Sequence, residues 1–276
     1  MKVVGSIFKR GALYGILLGG VIIVAFPLFW LLSSSLKPGN QVFAYPPALL
    51  PREPSLENYT ILLSRYPFAR WLVNSFVFAL SVTGASLVLH SMAGYALARL
   101  RFPGRNALFL AVMSTYMVPI YAVIVPRFLI VKSLGWVDTY QGLIIPSIFH
   151  AFGIFAFRQF FLGIPKELED AALIDGASRI RIFVEIVLPL SRGILLTMGV
   201  IFFIANWDSF IWPLIITRSK DLWVAQVGIA SFRDPQVTLW EYVVSGSVLM
   251  AIPGLILFFA LQRFIVRGIK TAGIKG

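Results

Sequence analysis

The residues of this sequence best suited to chemistry are acids, and they are gathered. Of the 12 Asp and Glu in a chain of 276 residues, five (Glu167, Glu169, Asp170, Asp175 and Glu185) fall in the stretch ELEDAALIDGASRIRIFVEIVLP, residues 167–189. No histidine or cysteine stands among them. Their chemistry is therefore recognition by charge, since hydrogen bonds to an ionised partner are roughly twice as strong as neutral ones. Pro165 can open a helix, because its missing N–H goes unused in the first turn. Glu167, Glu169 and Asp170 then suit the positive end of the helix dipole. Leu168, Ala171, Ala172 and Asp175 share one face, with two alanines that let another backbone approach. Gly176 can end the helix in the left-handed conformation. Ser178 can cap a second short helix, RIRIFVEIV. There Ile180, Phe183 and Val187 form an apolar stripe suited to a membrane interface, and Leu188-Pro189 closes the segment. The pattern predicts a helix–turn–helix elbow whose acidic leading helix docks a partner, rather than a plain connector.

A second constellation is Asn206, Trp207, Asp208 and Ser209, in an otherwise apolar run. An aspartate at the centre of a membrane span costs about 2.5–3.5 kcal/mol. It must face a protein interior, a partner or a water-filled cavity. These four residues fit a polar, aromatic wall that handles a sugar, and they fit a structural hydrogen-bond cluster as well. Asn74 and Trp212 are further candidates for such a path.

Other chemistry is missing. The phosphate-binding pattern G-x-x-x-x-G-K-[ST] needs a Gly-Lys pair, and the chain has none. Nucleotide hydrolysis therefore falls to another chain. There is no cysteine, hence no disulfide framework and no Cys-based metal site. His90 and His150 stand apart in sequence; each is either a proton relay or, more commonly for a lone histidine in a span, a helix–helix hydrogen bond. No cluster of nucleophile, base and metal ligand marks an enzyme.

The elements that carry these residues are membrane helices. The chain is 58% hydrophobic and only 13% charged, against about 25% charged in soluble domains, and its mean hydropathy is +0.85. Apolar runs recur at the length of about 20 residues that crosses a bilayer. Short alternating segments, the mark of a membrane β-barrel, are lacking. The expected fold is all-α and integral to the membrane, a single domain over 1–276 with six spans. They run over about 12–36, 71–98, 106–131, 140–157, 193–217 and 242–262, with the acidic loop, 163–189, between spans 4 and 5. The first run is too long for a cleaved signal peptide.

The net charge is +12. Its lysines and arginines flank apolar runs instead of forming the patch of a nucleic-acid binder. With six spans both termini share a side, and that side holds 15 of the 24 Lys and Arg residues. The positive-inside rule puts it, and the acidic elbow, in the cytoplasm. The outer stretch 37–67 is rich in proline and predicts an extended, ordered cover, with Ser55 capping a short helix through LENYTILL. Pro27, Pro119, Pro146, Pro213 and Pro253 are expected to kink helices.

The elbow resembles the EAA loop of permease subunits of bacterial ABC importers. The matching positions are Asp170, Ala171, Ala172, Gly176, Leu188 and Pro189, with Asp where the family usually has Glu. ENYTILL, AGYALARLRFPGR, GLIIPSIF, FGIFAFRQFF, WDSFIWPLI and the ending QRFIVRGIKTAGIKG are similar to the carbohydrate-uptake class, and to the shorter, six-span partner of the maltose-type pair. The resemblance implies several partners. A cytoplasmic ATPase dimer binds the EAA helix and carries the ATP and magnesium, so this chain needs no cofactor. A second permease subunit completes the path through the lipid bilayer. An extracytoplasmic solute-binding protein delivers a sugar, and transport runs by alternating access in a bacterial or archaeal cytoplasmic membrane. By position, Asp170, Ala171, Ala172 and Gly176 are the ATPase contacts, with Glu169 and Asp175 as helpers. The same architecture also serves glycerophosphate-type or other polyol solutes. An independent secondary transporter would need its own coupling-ion site, usually several intramembrane charges, and would leave the acidic elbow without a role.

Overall fold

A computed structural model describes residues 2–234 and 236–272, and among them the regular secondary structure is helical apart from one isolated bridge, Arg233 to Thr238. Three helices are each long and apolar enough to cross a membrane: Leu13–Ser35 within α1 (Lys2–Ser35), α3 (Phe68–Arg99), and Trp240–Leu257 within α13 (Trp240–Ala272). Between α1 and α3 lies the short α2 (Glu57–Arg65). The other apolar runs form bent pairs. These are α4 (Arg105–Tyr116) with α5 (Ile120–Ser133), bent by 102°, and α6 (Tyr140–Ser147) with α7 (Ala151–Leu162), bent by 43°. The acidic stretch follows as α8 (Glu167–Ile174) and α9 (Arg179–Leu190), and α9 meets α10 (Arg192–Trp207) at 79°. Two short helices, α11 (Ile211–Ile216) and α12 (Ala225–Ala230), precede α13. The described residues thus hold up to six crossings if each bent pair is one span.

The prolines explain some of the breaks and not others. Pro119 sits in extended conformation ahead of α5. Proline disfavours helical geometry in the residue before it, so α4 ends there. Pro146 lies in the 3-10 turn that ends α6. Pro27 and Pro253, expected to kink their helices, sit inside helices that continue through them. The fifth apolar run, expected as one span over 193–217, is two helices: α10 stops at Trp207 and α11 starts at Ile211.

The chain divides into two compact units, residues 1–69 with 228–252, and residues 70–227 with 253–276. In the first, the proline-rich stretch is largely exposed but tied down by hydrogen bonds. Asn58 donates from Nδ2 to the carbonyls of Ser35 (2.9 Å) and Lys37 (2.8 Å). The Tyr59 hydroxyl donates to Ser35 Oγ at 2.6 Å. Lys37 is 1% exposed; its Nζ donates to the Ala48 carbonyl at 2.7 Å and lies 4.4 Å from the Trp30 ring centre, and burial lowers its pKa. Ser55 Oγ accepts from the Glu57 N–H at 3.1 Å, at the start of α2.

The second unit holds the candidate sites on two apolar clusters. One joins α3, α7, α9 and α10 through Tyr95, Phe157, Phe161, Ile182, Phe183 and Phe202. The other joins Phe78, Val131, Leu143, Trp212 and Ile216. Gly94 lets α3 and α7 touch backbone to backbone: a Cβ there would lie 2.7 Å from Phe157 Cβ and 2.9 Å from the Arg158 nitrogen.

Candidate functional site

The acidic elbow folds from its own local signals. Glu167, Glu169 and Asp170 occupy the first turn of α8. Gly176 ends the helix at φ +79°, where a side chain would be strained. The Ala177 N–H bonds to the Ala172 carbonyl (2.9 Å) and the Gly176 N–H to that of Leu173 (3.1 Å). This pair of bonds satisfies the carbonyls left open at the helix end. Ser178 Oγ accepts from the Arg181 N–H at 3.3 Å and caps α9. A π-helical turn, Phe183–Val187, follows, and the buried Ser191 marks the 79° bend into α10.

The acids then divide by direction. Asp170, Asp175, Ala171 and Gly176 are exposed, and beside them Leu168 (44% exposed) and Ile174 (87%) present apolar surface. Lys166 pairs with Asp170 at 3.5 Å, and Arg181 with Glu185 at 2.8 Å, raising the Arg181 pKa. Pairs this exposed contribute little to stability. Glu169 corrects the sequence expectation. It is 2% exposed and is turned inward, away from the exposed face of α8. Its carboxylate pairs with Arg99 Nε of α3 at 2.9 Å, accepts from the Tyr95 hydroxyl at 3.0 Å, and lies 3.8 Å from Arg179 Nη1. Arg99 also donates to the Ile164 carbonyl, just ahead of α8. Glu169 is thus a latch between α8 and α3. Removing one partner of a buried pair costs about 3–5 kcal/mol, because the other charge stays buried. The expected surface stripe is corrected too: Ile180 is 78% exposed, while Ile182, Phe183 and Val187 turn into the core. Ala172 and Leu188 are half-buried against that cluster, and Pro189 is exposed.

The second constellation lies at the break between α10 and α11. Asp208 is not inside a helix: it follows the last residue of α10, at φ −87° and ψ 3°. Its side chain accepts a hydrogen bond from Gln226 and stays outside the cavity described next. Irregular backbone at membrane depth is tolerated where protein buries it or where it lines a cavity. A cavity of about 420 Å³ opens here, lined by Asn206, Ser209 and Trp212 together with Arg127, Ser147 and His150. Three of these, Asn206, Ser209 and Trp212, were expected path residues; the other three expected ones, Asp208, Trp207 and Asn74, do not line it. Trp207 is 3% exposed and packs between Phe203 and Phe76, with ring centres at 5.7 and 4.6 Å. Asn74 is 1% exposed; it donates to the Asp221 and Trp223 carbonyls at 2.8 Å each and accepts from the Tyr140 hydroxyl at 2.6 Å. Both hold helices and loops together and correct the expectation that they line a path.

Arg127 is the residue that sequence reasoning missed. Its guanidinium lies 3.8 Å from the Trp212 ring centre, and Nη2 donates to Ser147 Oγ at 2.9 Å. Trp212 Nε1 is held in turn by the Gly142 and Leu143 carbonyls at 3.2 Å each. An arginine at membrane depth costs about 2.5–3.5 kcal/mol; a desolvated cation–π contact returns about 2. The available signal was one arginine directly after a proline in the apolar run IYAVIVPRFLIV. His90 and His150, far apart in sequence, come together with ring centres 5.9 Å apart, and the His150 N–H donates to His90 Nε2 at 3.1 Å. That bond ties the His90 ring of α3 to the backbone just ahead of α7, the structural kind of contact, and the His150 ring takes no part in it. Among the described residues no group of three or more His, Cys, Asp or Glu is placed to hold a metal ion.

Repeated apolar helices, a surface elbow latched to one of them and a cavity at a broken helix are the features of a membrane protein, and its relatives define it as a transport subunit. The chain belongs to the family of binding-protein-dependent transport system inner membrane components, whose profile matches residues 90–271. It is 34% identical over 258 residues to the arabinooligosaccharides transport system permease protein AraQ of Bacillus subtilis, covering 92% of each chain. It is likewise 34% identical over 258 residues to the sn-glycerol-3-phosphate transport system permease protein UgpE of Yersinia pestis, covering 91% of this chain and 92% of that one. Its fold is similar to a crystal structure of a bacterial ABC transporter involved in import of the acidic polysaccharide alginate, with a TM-score of 0.83 at 23% identity over 94% of this chain and 97% of the other. A second alginate transporter structure, in complex with an alginate pentasaccharide-bound periplasmic protein, matches with a TM-score of 0.67 at 17% identity, over 96% and 98% of the two chains.

Proposed function

We propose that this subunit imports a sugar or oligosaccharide across the cytoplasmic membrane, with both termini in the cytoplasm. A second permease subunit completes the pathway. An extracytoplasmic binding protein supplies the solute, and a cytoplasmic ATPase dimer drives alternating access. The subunit itself performs no hydrolysis. The exposed face of α8, formed by Asp170, Ala171, Asp175 and Gly176 with Leu168 and Ile174, docks the ATPase. ATP-driven movement there passes through Glu169 and Arg99 into α3, and through the bend at Ser191 into α10.

One observation carries this reading. α8 offers an acidic and apolar face outward while its one buried carboxylate is latched to a membrane helix 2.9 Å away. A connector needs no such latch. A second reading, a glycerophosphate-type or other polyol solute, is favoured by the likeness to UgpE. The test is a tagged purification from native membranes in mild detergent, read by mass spectrometry. Co-recovery of an ATPase, a second permease and a binding protein is the expected result, and that binding protein can then be screened for its solute. Recovery of this chain alone, folded, would favour an independent transporter.

A further inference from the structure

The cavity at the α10–α11 break is largely apolar, and its few polar groups, Arg127 among them, are not balanced in charge. Among the described residues lining it and the adjoining cavity of about 770 Å³, none is an aspartate or glutamate, yet Arg127 faces both. No carboxylate among the described residues lies within ion-pair distance of Arg127. A guanidinium has five N–H donors; among the described residues Arg127 has one hydrogen-bond partner, Ser147 at Nη2, and since Nε is buried the donors open to the cavity are those of Nη1 and Nη2. The Trp212 ring, itself held through Nε1, lies 3.8 Å from the guanidinium carbon and supports it there. Asn206, whose Nδ2 donates to the Phe202 carbonyl at 2.7 Å and whose Oδ1 remains an acceptor, and Ser209 stand on the same wall. A planar cation held in place with free donors is the arrangement that grips a carboxylate or phosphate with two parallel bonds.

We infer that Arg127 is a specificity residue of the translocation path, and that the solute it accepts is a carbohydrate or polyol bearing an anionic group, a carboxylate or a phosphate. Trp212 positions Arg127, and Asn206 and Ser209 meet the hydroxyls. The inference rests on the importer reading and narrows its substrate class. The other source of an anion is a carboxylate of the second permease subunit; it would neutralise Arg127 permanently and leave no preference for charge in the solute.

The test uses the assembled transporter in lipid nanodiscs. Arginines are modified with phenylglyoxal, and the rate at Arg127 is followed by peptide mass spectrometry. Matched probes isolate the charge: glycerol 3-phosphate against glycerol, and glucuronate against glucose. The inference predicts that at least one anionic probe, supplied at about ten times its Kd, slows modification of Arg127 roughly tenfold by occupying the site, while neither neutral probe does. It also predicts that Arg127→Gln lowers solute uptake, that Arg127→Lys restores part of it, and that both assemble. Equal protection by neutral and anionic probes, protection by none, or an Arg127 unreactive from the outset because a partner carboxylate covers it would each overturn the inference. Stimulation of ATP hydrolysis by the loaded binding protein, measured in the same nanodiscs, reports on the importer reading separately.

Discussion

The elbow and the cavity use charge in opposite ways. In the elbow, charge is divided between two faces of one short helix: Glu169 is buried and paired with Arg99, while Asp170 and Asp175 are exposed. In the cavity a single cation is half-buried, stacked on Trp212 and paired with no carboxylate among the described residues. A paired internal charge transmits position, because moving either partner alone leaves a buried charge exposed to its full desolvation cost. An unpaired cation in a cavity selects, because it is satisfied only by what enters. The elbow should therefore govern coupling between ATP hydrolysis and transport, and the cavity should govern which solute is moved.

The largest effect expected is at the latch. Glu169→Ala leaves Arg99 buried without its partner and should cost about 3–5 kcal/mol. Size-exclusion profiles of heated detergent samples would show the folded subunit lost at markedly lower temperature; an unchanged profile would remove Glu169 from the account. On the other face of the same helix, Asp170→Lys should leave insertion and thermal stability unchanged while uptake and binding-protein-stimulated ATP hydrolysis fall together. Normal uptake in that variant would break the division between faces. Asn74→Ala tests the edge of the cavity. Its hydrogen-bonding role predicts a stability loss of about 1–3 kcal/mol from backbone groups left unpaired, with the order of preference among transported solutes unchanged. A changed order would return Asn74 to the path.

The smallest effect lies at Asp138. Burial alone would raise its pKa, but bonds from the Arg218 N–H (2.8 Å) and from the N–H and hydroxyl of Ser219 (3.1 Å each) hold it below the ordinary value. A depressed pKa contributes stability that is present above the unfolded value of about 3.9 and lost as pH falls through the folded one. Thermal stability should therefore drop slightly more for the native protein than for Asp138→Asn on acidification below about pH 4.

The same contrast explains what was legible in the sequence. The elbow was readable because its determinants are local: acids in the first turn, Gly176 at φ +79°, Ser178 as a cap, Pro189 near the end. The inward turns of Glu169, Phe183 and Val187 were hidden, because their partners come from elsewhere in the chain, Arg99 lying 70 residues before Glu169. The cavity was half legible. Asn206, Ser209 and Trp212 were found by residue type, but type alone also picked Asn74 and Trp207, since an asparagine or tryptophan reads the same in a path wall and in a packed core. Arg127 and His150 join the site only because α5, α6 and α10 meet in space. The helix break at Asp208 was masked by an apolar run that continues in composition through Ile216.

The central claim is that the outward face of α8 docks the ATPase. Its most direct test is a single cysteine at Ile174, in a chain that has none of its own, cross-linked to single cysteines placed across the membrane-facing surface of the ATPase in the assembled transporter. The account predicts a cross-link from Ile174→Cys that changes yield between ATP-bound and nucleotide-free states, with no cross-link from a buried control at Ile182→Cys. A fully assembled transporter in which Ile174→Cys reaches no ATPase position in either state would contradict it.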